Sequence, residues 1–190
     1  MVPESDPFTL RPGRVHEAEG RGRRVFALFQ AMRHSGSLVW VLPAHIREMP
    51  LLAGLPPGMG ERLHLLRPSG ETDLRWCIEE ALRAAPAGLV IAEPEKPLSL
   101  TAGRRFQLAA EAGRSTGLLL IRREAGSNAT ETRWHCAPLA SADSTRHRWQ
   151  LNKNKQGTLG SWDVDWNGAT TAVDMVSATG QRQQPAKPPG

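Results

Sequence analysis

Residues 38–42 read LVWVL, residues 88–92 read GLVIA and residues 117–121 read GLLLI, and these three runs decide the fold. Each run is apolar without interruption and has the length of a single strand. A strand reads as an unbroken apolar run when helices cover both faces of its sheet, as they do in parallel α/β sheets. The three runs therefore predict an α/β fold with a parallel sheet and right-handed crossovers.

Helical spacing and capping signals occupy the segments between these runs. Residues 20–34 carry apolar side chains at helical spacing, and residues 70–85 predict a second helix. Residues 62–66 (RLHLL) form a further strand candidate, and either Ser99 or Thr101 can cap a third helix. The eight residues from 15 to 22 are interpreted as the loop that precedes the first helix.

The hydrophobic pattern changes after residue 121. Apolar and polar residues alternate over residues 133–138, 149–151 and 162–166, and the apolar positions include four of the six tryptophans. A period of two is typical of antiparallel strands with one face toward solvent. We therefore expect an antiparallel C-terminal extension of the parallel sheet. We interpret the tryptophans as core packing and not as a platform for stacking nucleic-acid bases.

The chain of 190 residues is long enough for one domain with a substantial core. Residues 1–12 and 177–190 contain few apolar residues and several prolines, so they are predicted to be disordered tails around a domain at 13–176. No apolar run approaches the ~18 residues of a membrane span. The acidic, proline-containing start does not resemble a signal peptide, and two isolated cysteines fit a reducing compartment, so a cytoplasmic location is expected.

The net charge of +5 is concentrated in two segments. Residues 11–36 carry six arginines against two glutamates, and residues 122–155 carry seven basic residues against three acidic ones. Such a concentration can attract a phosphate backbone through counterion release, although a solvated face without a partner gives the same pattern. The candidate DNA-binding residues are Arg122, Arg123, Arg133, Arg146 and Arg148.

The segment before the first helix lacks the residues of a phosphate-binding loop. Such a loop needs glycines for close backbone approach, a lysine for the phosphates and a serine or threonine for magnesium. This chain instead has Gly20, Arg21 and Gly22, and Glu17 and Glu19 precede them. Two carboxylates repel phosphate, so the sequence predicts at most a degenerate phosphate loop.

No other enzymatic signature is evident in the sequence. Cys77 lies at the apolar edge of a helix and Cys136 lies in an alternating strand, which favours small core residues over nucleophiles. The six histidines form no cluster at metal-ligand spacing. Glu93 follows an apolar strand and precedes Pro94, which favours a turn residue over an active-site carboxylate. We therefore expect a protein that is not an enzyme and holds no cofactor and no metal.

The order of these elements resembles the RecA core, and in particular the ImuA family of RecA-like, SulA-related accessory proteins of SOS mutagenesis. Residues 15–42 correspond to the phosphate loop, helix and next strand of RecA, and residues 88–93 (GLVIAE) correspond to its magnesium-binding strand. Residues 117–155 resemble the second DNA-binding loop of RecA and the strands that follow. The similarity to ImuA is most specific at 127–139 (SNATETRWHCAPL) and at 146–166 (RHRWQLNKNKQGTLGSWDVDW).

The resemblance implies a RecA-like shape without the ATPase residues. It implies a non-catalytic adaptor in DNA-damage-induced, error-prone translesion DNA synthesis, with an ImuB-like Y-family polymerase relative and an error-prone replicative-type DNA polymerase as partners. A RecA filament and single-stranded DNA are further candidate partners. The alternatives are a residual nucleotide-binding RecA-type ATPase that uses Arg21 as its cation, and a SulA-like inhibitor of cell division.

Lys153 and Lys155 resemble the paired lysines with which one RecA protomer reaches the ATP of its neighbour. The resemblance implies that these two lysines lie at a contact with a RecA filament. A hairpin turn with two solvated lysines is the simpler interpretation of the same residues.

Overall fold

The computed structural model describes seven segments of the chain, and these contain the strands and helices given below. The described residues are 6–48, 55, 58–84, 88–122, 125–143, 145–168 and 173–182. The strands are β1 (Val15–Glu19), β2 (Leu38–Val41), β3 (Leu63–Leu66), β4 (Leu89–Ala92), β5 (Thr116–Leu120), β6 (Thr132–Pro138), β7 (Arg146–Asn154), β8 (Thr158–Asp165) and β9 (Asp174–Arg182). The helices are α1 (Arg23–Arg33), α2 (Met59–Arg62), α3 (Glu71–Ala84) and α4 (Leu100–Gly113).

One mixed sheet contains all nine of these strands, in the order β3-β2-β4-β5-β1-β6-β7-β8-β9. Neighbouring strands are parallel from β3 through β2, β4, β5 and β1 to β6. Strands β7, β8 and β9 extend the sheet beyond β6, and each is antiparallel to the strand before it. The predicted α/β class, its parallel core and its antiparallel C-terminal extension are therefore confirmed.

Helices lie on both faces of the sheet at its central strands, and each face there has its own hydrophobic core. Helix α1 packs on one face, where Phe26 lies 5.1 Å from Trp134 and Phe29 lies 4.8 Å from Trp149 between ring centroids. Helices α3 and α4 pack together on the other face. Trp134 and Trp149 are at most 1% exposed, which confirms the prediction that the alternating tryptophans are core residues.

The prediction that residues 15–22 form a loop is wrong for residues 15–19, which form strand β1. Val15 and Ala18 are fully buried, and β1 lies between β5 and β6 near the middle of the sheet. The sequence VHEAE carries three titratable residues, which is unusual for a strand that is covered on both faces. Each of the three side chains has a polar partner elsewhere in the chain: His16 at Thr132, Glu17 at Arg133 and Glu19 at His135.

The ends of the chain also differ from the prediction of disordered tails. Phe8 and Leu10 belong to the core under α1, and Gln30 Nε2 donates to the Phe8 carbonyl oxygen at 2.8 Å. Residues 177–182 belong to strand β9, which pairs with β8. The remaining parts of the two predicted tails, residues 1–5 and 183–190, lie outside the described residues. None of the described helices is long and apolar enough to cross a membrane.

Candidate functional site

A cleft of about 340 Å³ opens at the carboxyl ends of the parallel strands. In open α/β sheets this edge is where ligands bind. The segments that follow β1, β2, β4 and β5 form its walls, and apolar residues line it beside seven charged ones. The charged lining residues are Arg21, Arg23, Arg24, Arg122, Glu48, Glu93 and Glu95.

The side chain of Glu93 is held by two neighbours at the base of this cleft. Arg24 binds its carboxylate with two nitrogens, Nε at 3.0 Å from Oε1 and Nη2 at 2.9 Å from Oε2. The indole nitrogen of Trp40 donates to Oε1 at 3.0 Å. Glu93 is 8% exposed, so it is a buried carboxylate whose charge Arg24 neutralises. It is not the simple turn residue that the sequence predicted.

A second glutamate of the cleft is held at its rim. Glu95 Oε1 lies 3.0 Å from Nε2 of His45 and 3.5 Å from a guanidinium nitrogen of Arg122. Arg122 and His45 are largely exposed, so water screens both contacts.

The glycine loop between β1 and α1 is closed against strand β6. The Gly22 N–H donates to the carbonyl oxygen of Cys136 at 2.9 Å. Gly20 has φ of +89°, and a Cβ at this position would overlap with the same carbonyl oxygen. A phosphate loop binds its anion with free backbone N–H groups, whereas this N–H is already bonded within the protein.

Two arginines of the cleft have no carboxylate partner among the described residues. Arg21 is exposed, and Arg23 Nη1 donates to the Gly20 carbonyl oxygen at 3.0 Å. Arg23 Nε is buried and has no hydrogen-bond partner within the described part of the chain. Arg23 and Arg24 are not among the site residues predicted from the sequence. The available signal was two consecutive arginines in the first turn of α1, where the helix dipole favours acidic residues.

The structure describes four of the five candidate DNA-binding arginines, and each of the four lies within ion-pair distance of a carboxylate of the chain. Arg122 lies at the cleft, and Arg123 lies outside the described residues. Arg133 Nε binds Oε2 of the fully buried Glu17 at 2.9 Å. The last two lie on β7 and form bidentate ion pairs with β8: Arg146 with Asp165, and Arg148 with Asp163.

The two lysines of β7 and its turn hold a neighbouring loop of their own chain. Lys153 Nζ donates to the carbonyl oxygens of Ser127 and Thr130 at 3.0 and 2.7 Å. Lys155 Nζ donates to the carbonyl oxygen of Ala129 at 2.5 Å. Burial lowers the pKa of Lys153 to about 8, and the nearby Arg133 and Lys155 charges act in the same direction. The nitrogens of both lysines therefore bond inward.

A second cavity, of about 370 Å³, lies at the opposite end of β1. His16 lines it, and burial lowers the pKa of this imidazole to about 4. Its Nε2 lies 3.1 Å from the Arg11 carbonyl oxygen, which only accepts, so Nε2 carries the proton. Its Nδ1 then accepts from the Thr132 hydroxyl at 2.7 Å. Both ring nitrogens of His16 are therefore engaged in hydrogen bonds within the protein.

The described residues offer little for covalent or metal chemistry. They contain no group of three or more His, Cys, Asp or Glu side chains that could hold a metal ion. Burial raises the pKa of the Cys136 thiol well above its ordinary value, and burial also raises that of Cys77. A thiol that stays protonated is a poor nucleophile.

The fold and the site define an α/β protein whose cleft at the carboxyl edge of the sheet is lined by ion pairs of the chain itself. A comparison with protein-family models finds no match. Protein ImuA of Caulobacter vibrioides strain NA1000 / CB15N is 32% identical over 152 residues, which cover 68% of this chain. Protein ImuA of strain ATCC 19089 / CIP 103742 / CB 15 matches to the same extent.

The chain belongs to the ImuA family, which confirms the family that the sequence motifs indicated. The matched region spans 60% of the length of these curated relatives.

Proposed function

We propose that the chain is a non-catalytic, RecA-like adaptor of DNA-damage-induced translesion synthesis. In this proposal it is cytoplasmic and binds an ImuB-like relative of Y-family polymerases, in a complex with an error-prone replicative-type polymerase. Membership of the ImuA family supports the pathway. A binding role also suits a cleft that is lined by both charged and apolar residues.

The closed glycine loop is the observation that carries the non-catalytic part of the proposal. The Gly22 N–H is bonded to Cys136, and the cleft has no lysine among its described lining residues. Phosphoryl transfer depends on positioned cations and backbone donors around the phosphates. Glu93, which the resemblance to RecA aligns with its magnesium-binding residue, is bound to Arg24 and Trp40. A nucleotide would have to displace these contacts.

Two measurements on the purified chain test the proposal. The first is isothermal titration with the ImuB-like polymerase relative, in which we expect a complex that forms without added nucleotide. The second is thermal unfolding with and without Mg-ATP. A ligand at 100 times its dissociation constant adds ~2.7 kcal/mol of stability, and we expect no such gain.

The alternatives predict different results in the same measurements. Stabilisation by ATP that is lost in Arg21→Ala would support the residual ATPase. Absence of a complex with the polymerase relative, together with binding to a tubulin-like division protein, would support the SulA-like inhibitor. Either result would contradict the adaptor.

A further inference from the structure

We propose that the cleft at the carboxyl edge of the sheet binds an acidic peptide segment of a partner protein. The inference rests on the proposed adaptor function and names the chemistry by which the adaptor recognises its partner. In this proposal Arg21 and Arg23 contact carboxylates of that segment.

The unpaired cations of the cleft are the first support. Of its four arginines, Arg24 and Arg122 are paired with Glu93 and Glu95, whereas Arg21 and Arg23 have no carboxylate partner among the described residues. A carboxylate placed in the cleft would give Arg21 and Arg23 the acidic partner that they lack among the described residues, because guanidinium groups bind carboxylates with charge-assisted hydrogen bonds.

The charge of the lining favours carboxylates over a polyphosphate. Glu48, Glu93 and Glu95 lie in the same cleft as the arginines. Four arginines against three glutamates leave the lining with a net charge of +1, which suits one or two carboxylates better than a compact group with several negative charges. The bonded Gly22 N–H removes the backbone donor on which a phosphate site depends.

The apolar part of the lining favours a peptide over a small carboxylate ion. Ile46, Pro43, Pro94 and Leu120 line the cleft beside the charged groups. A volume of about 340 Å³ is at the lower end of the range for ligand pockets and accommodates a few side chains. An acidic segment with an interspersed apolar residue matches both kinds of lining.

Fluorescence anisotropy with a short labelled peptide of repeated Gly-Glu-Leu units tests the inference on the full chain. We expect this peptide to bind, and a matched Gly-Gln-Leu peptide to bind much more weakly. Arg21→Ala/Arg23→Ala should weaken binding of the acidic peptide by about tenfold, which corresponds to ~1.4 kcal/mol. Arg104→Ala/Arg105→Ala removes the same charge from α4 and should change binding by less than about twofold.

Several outcomes would overturn the inference. Equal losses in the two double variants, or equal binding of the two peptides, would show non-specific attraction. Displacement of the peptide by ATP or by oligothymidylate, with the same dependence on Arg21, would assign the cleft to phosphates. Because Arg23→Ala removes a partly buried side chain, Arg21→Glu at the exposed position serves as a second variant, and unchanged binding in it would also count against the peptide site.

The polymerase relative separates failure of this inference from failure of the proposed function. If it binds the wild-type chain and both double variants equally, the adaptor function holds and the cleft inference is wrong. If it does not bind while the acidic peptide still depends on Arg21 and Arg23, the cleft inference holds and the proposed partner is wrong.

Discussion

The parallel part of the sheet contains a buried ion pair, whereas the antiparallel part contains an exposed one. On the central strand β1, Glu17 is fully buried and is bound by Arg133 and by the Ser127 N–H. On the outer strands β7 and β8, Arg148 and Asp163 form a bidentate pair at the surface. Breaking a buried pair strands a charge, whereas an exposed pair contributes little because water replaces it. The two parts should therefore respond differently to the loss of one carboxylate.

Glu17→Ala should cause the largest loss of stability. It leaves Arg133 and a buried N–H without their acceptor, and removal of one partner from a buried pair costs about 3–5 kcal/mol. Asp163→Ala is the matched control on the antiparallel part and should cost less than about 1 kcal/mol. Urea denaturation followed by tryptophan fluorescence measures both. Equal losses would mean that β1 does not depend on its charged partners.

His16 should make the parallel part sensitive to acid. Its folded pKa of about 4 lies below the ordinary value of 6.5, so between these pH values the unfolded chain binds more protons than the folded chain. Stability is therefore fully present above pH 6.5 and falls as the pH drops toward 4. The shift of about 2.5 units corresponds to about 3 kcal/mol of stability.

His16→Gln is the matched variant because glutamine cannot be protonated in this range. The free energy of unfolding should fall less on acidification in this variant than in the wild type, by up to about 3 kcal/mol. Urea denaturation at several pH values between 7 and 4 measures the difference. If the two proteins lose stability in parallel, then another group governs the acid response.

The cost of replacing a glycine by alanine should differ between the junction of β1 and α1 and the β7–β8 hairpin. Gly20 and Gly157 have nearly the same φ, +89° and +88°, but only Gly20 lies against backbone, at Cys136. An alanine at either site is strained by about 1 kcal/mol, and Gly20→Ala also overlaps with a carbonyl oxygen, which adds about 1–3 kcal/mol. Thermal unfolding of the two variants should therefore differ. Equal stabilities would show that the loop is free to move away from β6.

The apolar strands could be predicted from the sequence because burial on both faces leaves a continuous apolar run. Residues 38–42, 88–92 and 117–121 were identified in this way, and the structure has strands β2, β4 and β5 there. Strand β1 could not be predicted because its burial depends on Glu17 finding Arg133, 116 residues further along the chain. A local pattern carries no information about a partner so distant.

The candidate site was only partly predictable for a related reason. Counting charges along residues 122–155 gave a basic segment, but Arg133, Arg146 and Arg148 meet acidic residues that lie outside it, on β1 and β8. The glycine loop was identified from residue types alone. Its closure by the Cys136 carbonyl could not be predicted, because every residue has a carbonyl oxygen and no residue type identifies the one that accepts this bond.

Lys153 lies at the boundary between the two parts of the sheet, and its titration should have the smallest of these effects on stability. Its nitrogen bonds to the loop at Ser127 and Thr130, and burial lowers its pKa to about 8 from 10.5. Between these pH values the unfolded chain binds more protons than the folded chain, so wild-type stability should rise with pH across this window. The group is only partly buried, and solvent screening limits the rise to below about 1 kcal/mol.

Lys153→Met should lack this rise, because methionine carries no titratable group. Lys155→Met serves as the control, since it removes the same charge from a lysine that donates only to Ala129 among the described residues. Urea denaturation at intervals between pH 8 and 10.5 measures all three proteins. If Lys153→Met keeps the wild-type rise, the ammonium is exposed in solution and does not hold the loop. Lys153 would then be free to reach a neighbouring molecule, as its resemblance to the paired lysines of RecA implies.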